Sequence, residues 1–168
     1  MSRNISLTEK KQIALIQNGN HDEIMKFIKT NQSFRFAPSV AQIFVERGNS
    51  EEIMAYIAMR PLAERGELAL IKRGMHQEIL AYVKGHKLYE DAEKALIHRG
   101  EYQEIEKAAK RCAFGFSGEL ELINFGVHRH IMAYIKIRKF NNCAALNAFF
   151  KRKNMDEIEL YKSLYGVN

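Results

Sequence analysis

The chain has 168 residues, of which 46 % are hydrophobic, with ten glycines, two prolines, two cysteines and no tryptophan. This composition fits one ordinary domain or one short repeat array, and it argues against a disordered or collagen-like chain. The net charge of +6 permits an acidic partner, a nucleic acid or a membrane surface without choosing among them.

A segment centred on a glycine recurs along the whole chain. The first helix is predicted to open at a capping box formed by Ser6 and Glu9, and the first copy of the segment is centred on Gly19. The next four copies follow at a spacing of 26 residues, centred on Gly48, Gly74, Gly100 and Gly126. A sixth copy has Lys153 in the glycine position. Because the six copies cover the chain, we expect a single helical-repeat domain over residues 1–168.

Each copy reads as a helix A, a tight turn at the glycine, and a helix B. Apolar residues fall at helical spacing before and after the glycine, which is predicted to be a left-handed C-cap. The arginine before it would lie at the negative end of the helix dipole. The glutamate four residues after it would accept from free amides in the first turn of helix B. These side chains are Arg47, Arg73, Arg99, Glu23, Glu52, Glu78, Glu104 and Glu157. The arginine and the glutamate are expected to form ion pairs that contribute the modest stability typical of exposed pairs.

Two further columns of residues predict how the copies stack. Small residues lie eight positions before the central residue, which would let neighbouring helices approach closely. They are Val40, Gly66, Ala92, Gly118 and Ala145. An aromatic column lies eight positions after it and predicts a ladder between repeats. Its positions are occupied by Phe27, Tyr56, Tyr82, Ala108, Tyr134 and Tyr161.

With its Arg-Gly-x-x-x-Glu-Ile core, this organisation resembles the α-solenoid class that includes the HEAT repeats, over nearly the full length. The resemblance implies an all-α fold, a right-handed α-α superhelix of about six two-helix repeats. It also implies a concave or groove-like binding surface, and it carries no activity with it.

Metal, cofactor and membrane functions are not indicated by the sequence. Cys112 and Cys143 lack a CxxC partner and a zinc-ligand set, so no disulfide, metal or cofactor is expected, and two unpaired thiols suit a reducing cytosol. The start of the chain lacks the apolar core of a secretory signal, and no charge-free run approaches a bilayer-spanning length. We therefore expect a cytoplasmic protein without membrane insertion.

No catalytic motif stands out from the repeats. The sequence has no nucleophile elbow, phosphate-cradling glycine loop or HExxH, so we expect no enzyme. His21, His76 and His128 each lie two residues after a repeat glycine, where solvated residues at a helix start are the simplest interpretation. A less favoured alternative is an enzyme that uses His128, Arg129 and His130.

Charge distinguishes the copies from one another. Residues 110–153 contain nine basic residues against two acidic ones, and phenylalanines are interleaved with them. The functional interpretation is an electropositive patch that contacts phosphates or an acidic protein. The alternative is an ordinary solvated face with a phenylalanine core. The candidate patch consists of Lys110, Arg111, Arg129, Lys136, Arg138, Lys139, Lys151, Arg152 and Lys153.

These observations favour a non-enzymatic scaffold or adaptor that binds another macromolecule, most simply a protein. The alternative is a nucleic-acid-binding helical repeat that uses the basic C-terminal half. The oligomeric state stays open.

Overall fold

In a computed structural model, which describes residues 9–31 and 33–166, the chain is entirely helical. This part of the chain forms twelve helices and no strand, and none of the twelve has the length and apolar character needed to cross a bilayer. The capping box predicted for Ser6 lies outside the described residues. The helices are α1 (Glu9–Asn18), α2 (His21–Thr30), α3 (Pro38–Arg47), α4 (Ser50–Met59), α5 (Glu64–Arg73), α6 (His76–Gly85), α7 (Glu90–Arg99), α8 (Tyr102–Arg111), α9 (Phe116–Phe125), α10 (His128–Ile135), α11 (Cys143–Lys151) and α12 (Met155–Tyr165).

The helices pack as two rows within each of two compact units. The first unit ends at Tyr82 and the second begins at Val83. In the first unit α1, α3 and α5 pack in succession and α2 packs on α4. In the second unit α7, α9 and α11 form one row, and α8, α10 and α12 form the other. Odd-numbered helices are therefore helix A and even-numbered ones helix B, which confirms the predicted helical-repeat solenoid. We number the repeats one to six by their central residues, from Gly19 to Lys153.

The central glycines end helix A in two different ways. Three of them adopt the predicted left-handed C-cap, with φ of 82°, 76° and 73° at Gly48, Gly74 and Gly100. The prediction is wrong for Gly19, which is not left-handed, and for Gly126, where φ is −67°. In these two the glycine amide donates to the carbonyl four residues earlier at 2.8 Å, and an added Cβ would lie within 2.4 Å of that oxygen. Lys153 takes the left-handed conformation without a glycine, at φ 55°.

The small-residue column brings neighbouring A helices close together, as predicted. A Cβ added to Gly66 would lie 2.6 Å from the Cβ of Ala41 on the preceding A helix. A Cβ added to Gly118 would lie 2.4 Å from a carboxylate oxygen of Glu93. Both distances are shorter than van der Waals contact, so the glycines permit the packing and offset their cost to helix propensity, about 1 kcal/mol each.

The aromatic column forms a ladder that alternates with residues of the linkers between repeats. Ring centroids are 4.8 Å apart for Phe36 and Tyr56 in the first unit. In the second unit Tyr134 stacks between Phe114 and Phe140 at 5.2 and 5.5 Å. The predicted phenylalanine core is thus confirmed for the buried linker residues. It is wrong for Phe116 and Phe125, which are 65 % and 60 % exposed.

Candidate functional site

An arginine and a glutamate pair across the turn of four repeats. The arginine before the central residue reaches the glutamate four positions after it, with shortest N···O distances of 3.7, 3.2, 2.9 and 3.5 Å. The four glutamates are buried, so the expectation of exposed ion pairs is wrong. A buried carboxylate depends on its partner, because removing the partner leaves an uncompensated charge in the interior. The pairs are Arg47 with Glu52, Arg73 with Glu78, Arg99 with Glu104, and Arg152 with Glu157.

Three of these arginines also bind the backbone of the preceding repeat. Arg73 donates to the carbonyl of Gly48 at 2.7 Å, and Arg152 donates to the carbonyl of Ile123 at 2.5 Å. Arg47 donates to the carbonyl of Gly19 at 2.9 Å. The guanidinium groups of these three arginines therefore join two turns, a role that the predicted interaction with the helix dipole does not include.

The buried glutamates also bind side chains from the preceding repeat. The Nδ1 atoms of His21 and His128 lie 3.1 and 3.0 Å from the carboxylates of Glu52 and Glu157. Ser50 has the corresponding position in repeat two and donates to a carboxylate oxygen of Glu78 at 2.5 Å. His21 and His128 are partly exposed, as the sequence indicates, and they additionally link consecutive turns.

A second set of buried glutamates lies in the middle of helix A, and the sequence analysis missed it. Glu119 accepts from the hydroxyl of Tyr134 at 2.9 Å, and Tyr82 makes the corresponding bond to Glu67. The Tyr134 hydroxyl accepts in turn from the amide of Phe114 at 3.3 Å. Glu119 also accepts from the amide of Asn141 at 3.1 Å, just ahead of the next A helix. Burial raises the pKa of Glu119 and that of Tyr134. The Glu119 carboxylate raises the pKa of Tyr134 further.

Repeat four lacks the tyrosine of this network. Ala108 occupies its position, and Glu93, which is 3 % exposed, accepts from the amide of Gly115 at 2.8 Å. Burial raises the pKa of Glu93 to about 7, against the opposing effects of this hydrogen bond and of Lys87. A cavity of about 10 Å³ beside Ala108, Glu93 and Cys112 has room for about one water molecule. Repeat four therefore combines a buried carboxyl group of raised pKa with the absence of the tyrosine hydroxyl that bonds to Glu67 and Glu119.

Repeat five lacks the arginine–glutamate pair at its turn. Phe125 stands in the arginine position and His130 in the glutamate position. His130 is buried, and its Nε2 lies 3.0 Å from the carbonyl oxygen of Gly100. Burial lowers the pKa of His130. Because a carbonyl oxygen can only accept, a hydrogen bond at this distance requires a proton on Nε2. His130 therefore makes the bond to the preceding repeat that arginine makes elsewhere.

The three residues of the enzyme alternative each bond within the fold. His128 binds Glu157, whereas His130 and the Nη2 atom of Arg129 both lie at the carbonyl of Gly100, at 3.0 and 3.4 Å. Among the residues that the structure describes, no three His, Cys, Asp or Glu side chains are grouped so as to hold a metal ion.

The structure divides the nine basic residues into two groups at opposite ends of the B helices. Five lie at the C-terminal ends of α8 and α10, namely Lys110, Arg111, Lys136, Arg138 and Lys139. Four lie at the turns between helix A and helix B, namely Arg129, Lys151, Arg152 and Lys153. The eight residues of α10 separate the groups by about 12 Å. Arg138 donates to the carbonyl of Ala109 at 2.9 Å, so part of the charge also serves the fold.

Large apolar side chains are exposed beside these basic residues. On the turns of repeats five and six, Val127 and Met155 are 53 % and 59 % exposed and accompany Phe125. At the start of α9, Phe116 borders an open depression of about 570 Å³ that also includes Cys143. Exposed apolar side chains that form a contiguous patch rimmed by polar residues are typical of interaction surfaces.

Comparison with protein-family models, with curated proteins and with solved structures finds no match for the chain. The fold therefore defines its class: an α-helical repeat protein of the solenoid type, with a two-helix unit of about 26 residues.

Proposed function

We propose that this protein is a non-enzymatic scaffold or adaptor that binds another protein. The supporting observation is the exposure of Phe116, Phe125, Val127 and Met155 in the basic region of the chain. In a solenoid the repeated contacts between neighbouring repeats stabilise the fold. Surface positions that make no such contact are available for binding partners. Aromatic residues and methionine are enriched in protein interfaces relative to the rest of the surface.

The alternative is nucleic-acid binding through the basic C-terminal half. Exposed Lys136 and Lys139 at the end of α10 favour it, because lysines in such positions neutralise phosphates. The nine basic residues form two separate groups at opposite ends of the B helices, and this separation argues against one continuous phosphate-binding surface. We also propose a cytoplasmic location, since Cys112 and Cys143 are free thiols, which a reducing compartment maintains.

Capture followed by reconstitution tests the scaffold function. The full chain is used to isolate bound proteins from nuclease-treated extract of its native cell, and a captured protein is purified and titrated into the chain by calorimetry. Saturable binding by the purified pair is expected. In parallel, DNA and RNA binding is measured at about 50 mM and about 200 mM salt. Nucleic-acid binding that falls steeply with salt, without a protein that binds directly, would establish the alternative instead.

A further inference from the structure

The turn of repeat five presents an apolar side chain where other repeats use a structural one. Four repeats have arginine before the central residue, and each arginine holds a buried glutamate. In repeat five His130 bonds to the preceding turn, so position 125 has no buried glutamate to pair with. Phe125 fills this position, 60 % exposed, with its ring centroid 4.9 Å from that of His98. Burial within the fold therefore does not account for this phenylalanine.

Val127 also occupies a position that has a structural task elsewhere. Asn49 and Asn154 cap their B helices by accepting from the amides of Glu52 and Glu157 at 3.1 and 3.3 Å. Valine has no such acceptor, and α10 begins without a side-chain cap. Losing a cap of this kind costs about 1 kcal/mol. The turn of repeat five therefore lacks this stabilisation, as does that of repeat four behind Glu101, but at repeat five it also exposes two apolar side chains.

The turn of repeat six extends this surface. The turns of repeats five and six are adjacent, because the Nδ1 of His128 lies 3.3 Å from the Nδ2 of Asn154. Met155 follows Asn154 and is 59 % exposed. We call Phe125, Val127 and Met155 the apolar turn surface.

Basic side chains surround the apolar turn surface. Residues 124–130 and 150–156 contain four basic residues and one acidic residue, Asp156; one further acidic residue, Glu121, lies a turn before Phe125 and is paired with His98 at 2.5 Å. Arg152 is engaged with Glu157, whereas Lys151 and Lys153 are exposed and have no ion pair among the residues the structure describes. The excess positive charge complements a negatively charged partner and disfavours a basic one.

We propose that the apolar turn surface binds an acidic segment of another protein, one that inserts an aromatic or aliphatic side chain beside Phe125 and places Asp or Glu near Arg129, Lys151 and Lys153. This inference rests on the proposed scaffold function and gives it a location and a partner chemistry. Phe125 supplies the aromatic anchor, Val127 and Met155 widen the apolar contact, and the basic side chains select an acidic sequence.

A restored-turn variant can remove the surface without removing the fold. Phe125→Arg, Val127→Asn and His130→Glu together install the residues that other repeats carry at these positions. Because arginine and glutamate then form the usual pair and asparagine caps α10, the variant is expected to melt no lower than the wild type. Its control is Leu164→Ser, which removes an exposed apolar residue at the other end of α12.

Selection of random displayed peptides on the immobilised full chain tests the proposal. Enriched peptides are expected to combine Asp or Glu with Phe, Leu or Trp, and to bind the restored-turn variant about tenfold or more weakly while retaining affinity for the Leu164→Ser variant. Neutral or basic enriched peptides, or equal binding to the restored-turn variant, would overturn the inference and leave the scaffold function standing.

Failure to enrich any peptide would also overturn the inference, whereas the reconstitution experiment decides the scaffold function separately. Self-association in sedimentation that disappears in the restored-turn variant would assign the surface to a second copy of the chain and likewise overturn it.

Discussion

Removal of one hydroxyl group tests the buried tyrosine–glutamate network. In Tyr134→Phe the ring stays in the aromatic ladder, but Glu119 loses a donor at 2.9 Å and the amide of Phe114 loses an acceptor at 3.3 Å. The unsatisfied amide costs about 1 to 2 kcal/mol, and the lost bond to a carboxylate costs about 1.5 to 3 kcal/mol. Because Glu119 retains the amide of Asn141, we expect a total near the lower bounds, about 2.5 kcal/mol.

Tyr161→Phe is the matched control. The Tyr161 hydroxyl accepts from the amide of Phe140 at 3.3 Å, and the position corresponding to Glu119 holds Leu146. This variant should lose only the amide contribution, about 1 kcal/mol. Urea unfolding of the two variants and the wild type, followed by circular dichroism, measures the difference.

The acidity of Glu119 supplies an internal check. Burial raises the pKa of Glu119 above 4.5, and the bond from Tyr134 opposes that shift by favouring the ionised form. The excess loss in Tyr134→Phe over Tyr161→Phe should therefore be larger at about pH 8.5 than at about pH 5, where more Glu119 is protonated. Equal losses in both variants at both pH values would refute the assignment of a carboxylate hydrogen bond to Tyr134.

Three further substitutions address the buried charges and the gap in repeat four. Glu93 has a folded-state pKa of about 7, above the ordinary 4.5, so its contribution to stability is complete below about pH 4.5 and is lost as the pH rises through about 7. Glu93→Gln should therefore come within about 1 kcal/mol of the wild type at about pH 5 and exceed its unfolding free energy by about 3 kcal/mol at about pH 8.5. Arg73→Met leaves Glu78 buried without its cation and should cost about 3 to 5 kcal/mol in urea unfolding. Ala108→Tyr should lower the unfolding free energy by about 1 to 3 kcal/mol, because the cavity there holds about one water and no phenol ring.

Each of these has its own control. A pH profile of Glu93→Gln that parallels the wild type would show that Glu93 ionises normally. The double variant Arg73→Met, Glu78→Leu should recover much of the lost unfolding free energy, because an apolar pair replaces a lone buried charge. If the double variant is no more stable than Arg73→Met, the unpaired Glu78 carboxylate is not the cause of the loss. A stabilised Ala108→Tyr variant would show that repeat four can still accept the ladder residue.

The sequence predicted the repeat architecture because its signals are local. Three signals can be recognised within the sequence of one repeat: the helical spacing of apolar residues, the glycine at the turn (48, 74 and 100) and the aromatic residue of helix B. Gly126 departs from the predicted cap: its φ is −67°, and its amide donates to the carbonyl of Leu122 at 2.8 Å.

The buried glutamates could not be predicted in the same way, because their partners lie on another helix of the repeat or in a neighbouring repeat. Glu67 and Glu119 lie in helices whose composition suggests a solvated face, and their burial depends on tyrosine hydroxyls 15 residues later. The one available signal was the joint column of glutamate and tyrosine, with Ala108 as its exception. The exposure of Phe125 was likewise hidden, since an aromatic residue in a helix usually indicates core.

Three of the bonds between turns run from an arginine side chain to a backbone carbonyl. Arg47, Arg73 and Arg152 donate to carbonyl oxygens of the preceding repeat, and every residue type carries that acceptor. A repeat can therefore be duplicated, deleted or exchanged beside a neighbour that has not adapted to it, provided that the donor is retained. Such an array can change its length and its outward residues independently during evolution while the fold is kept.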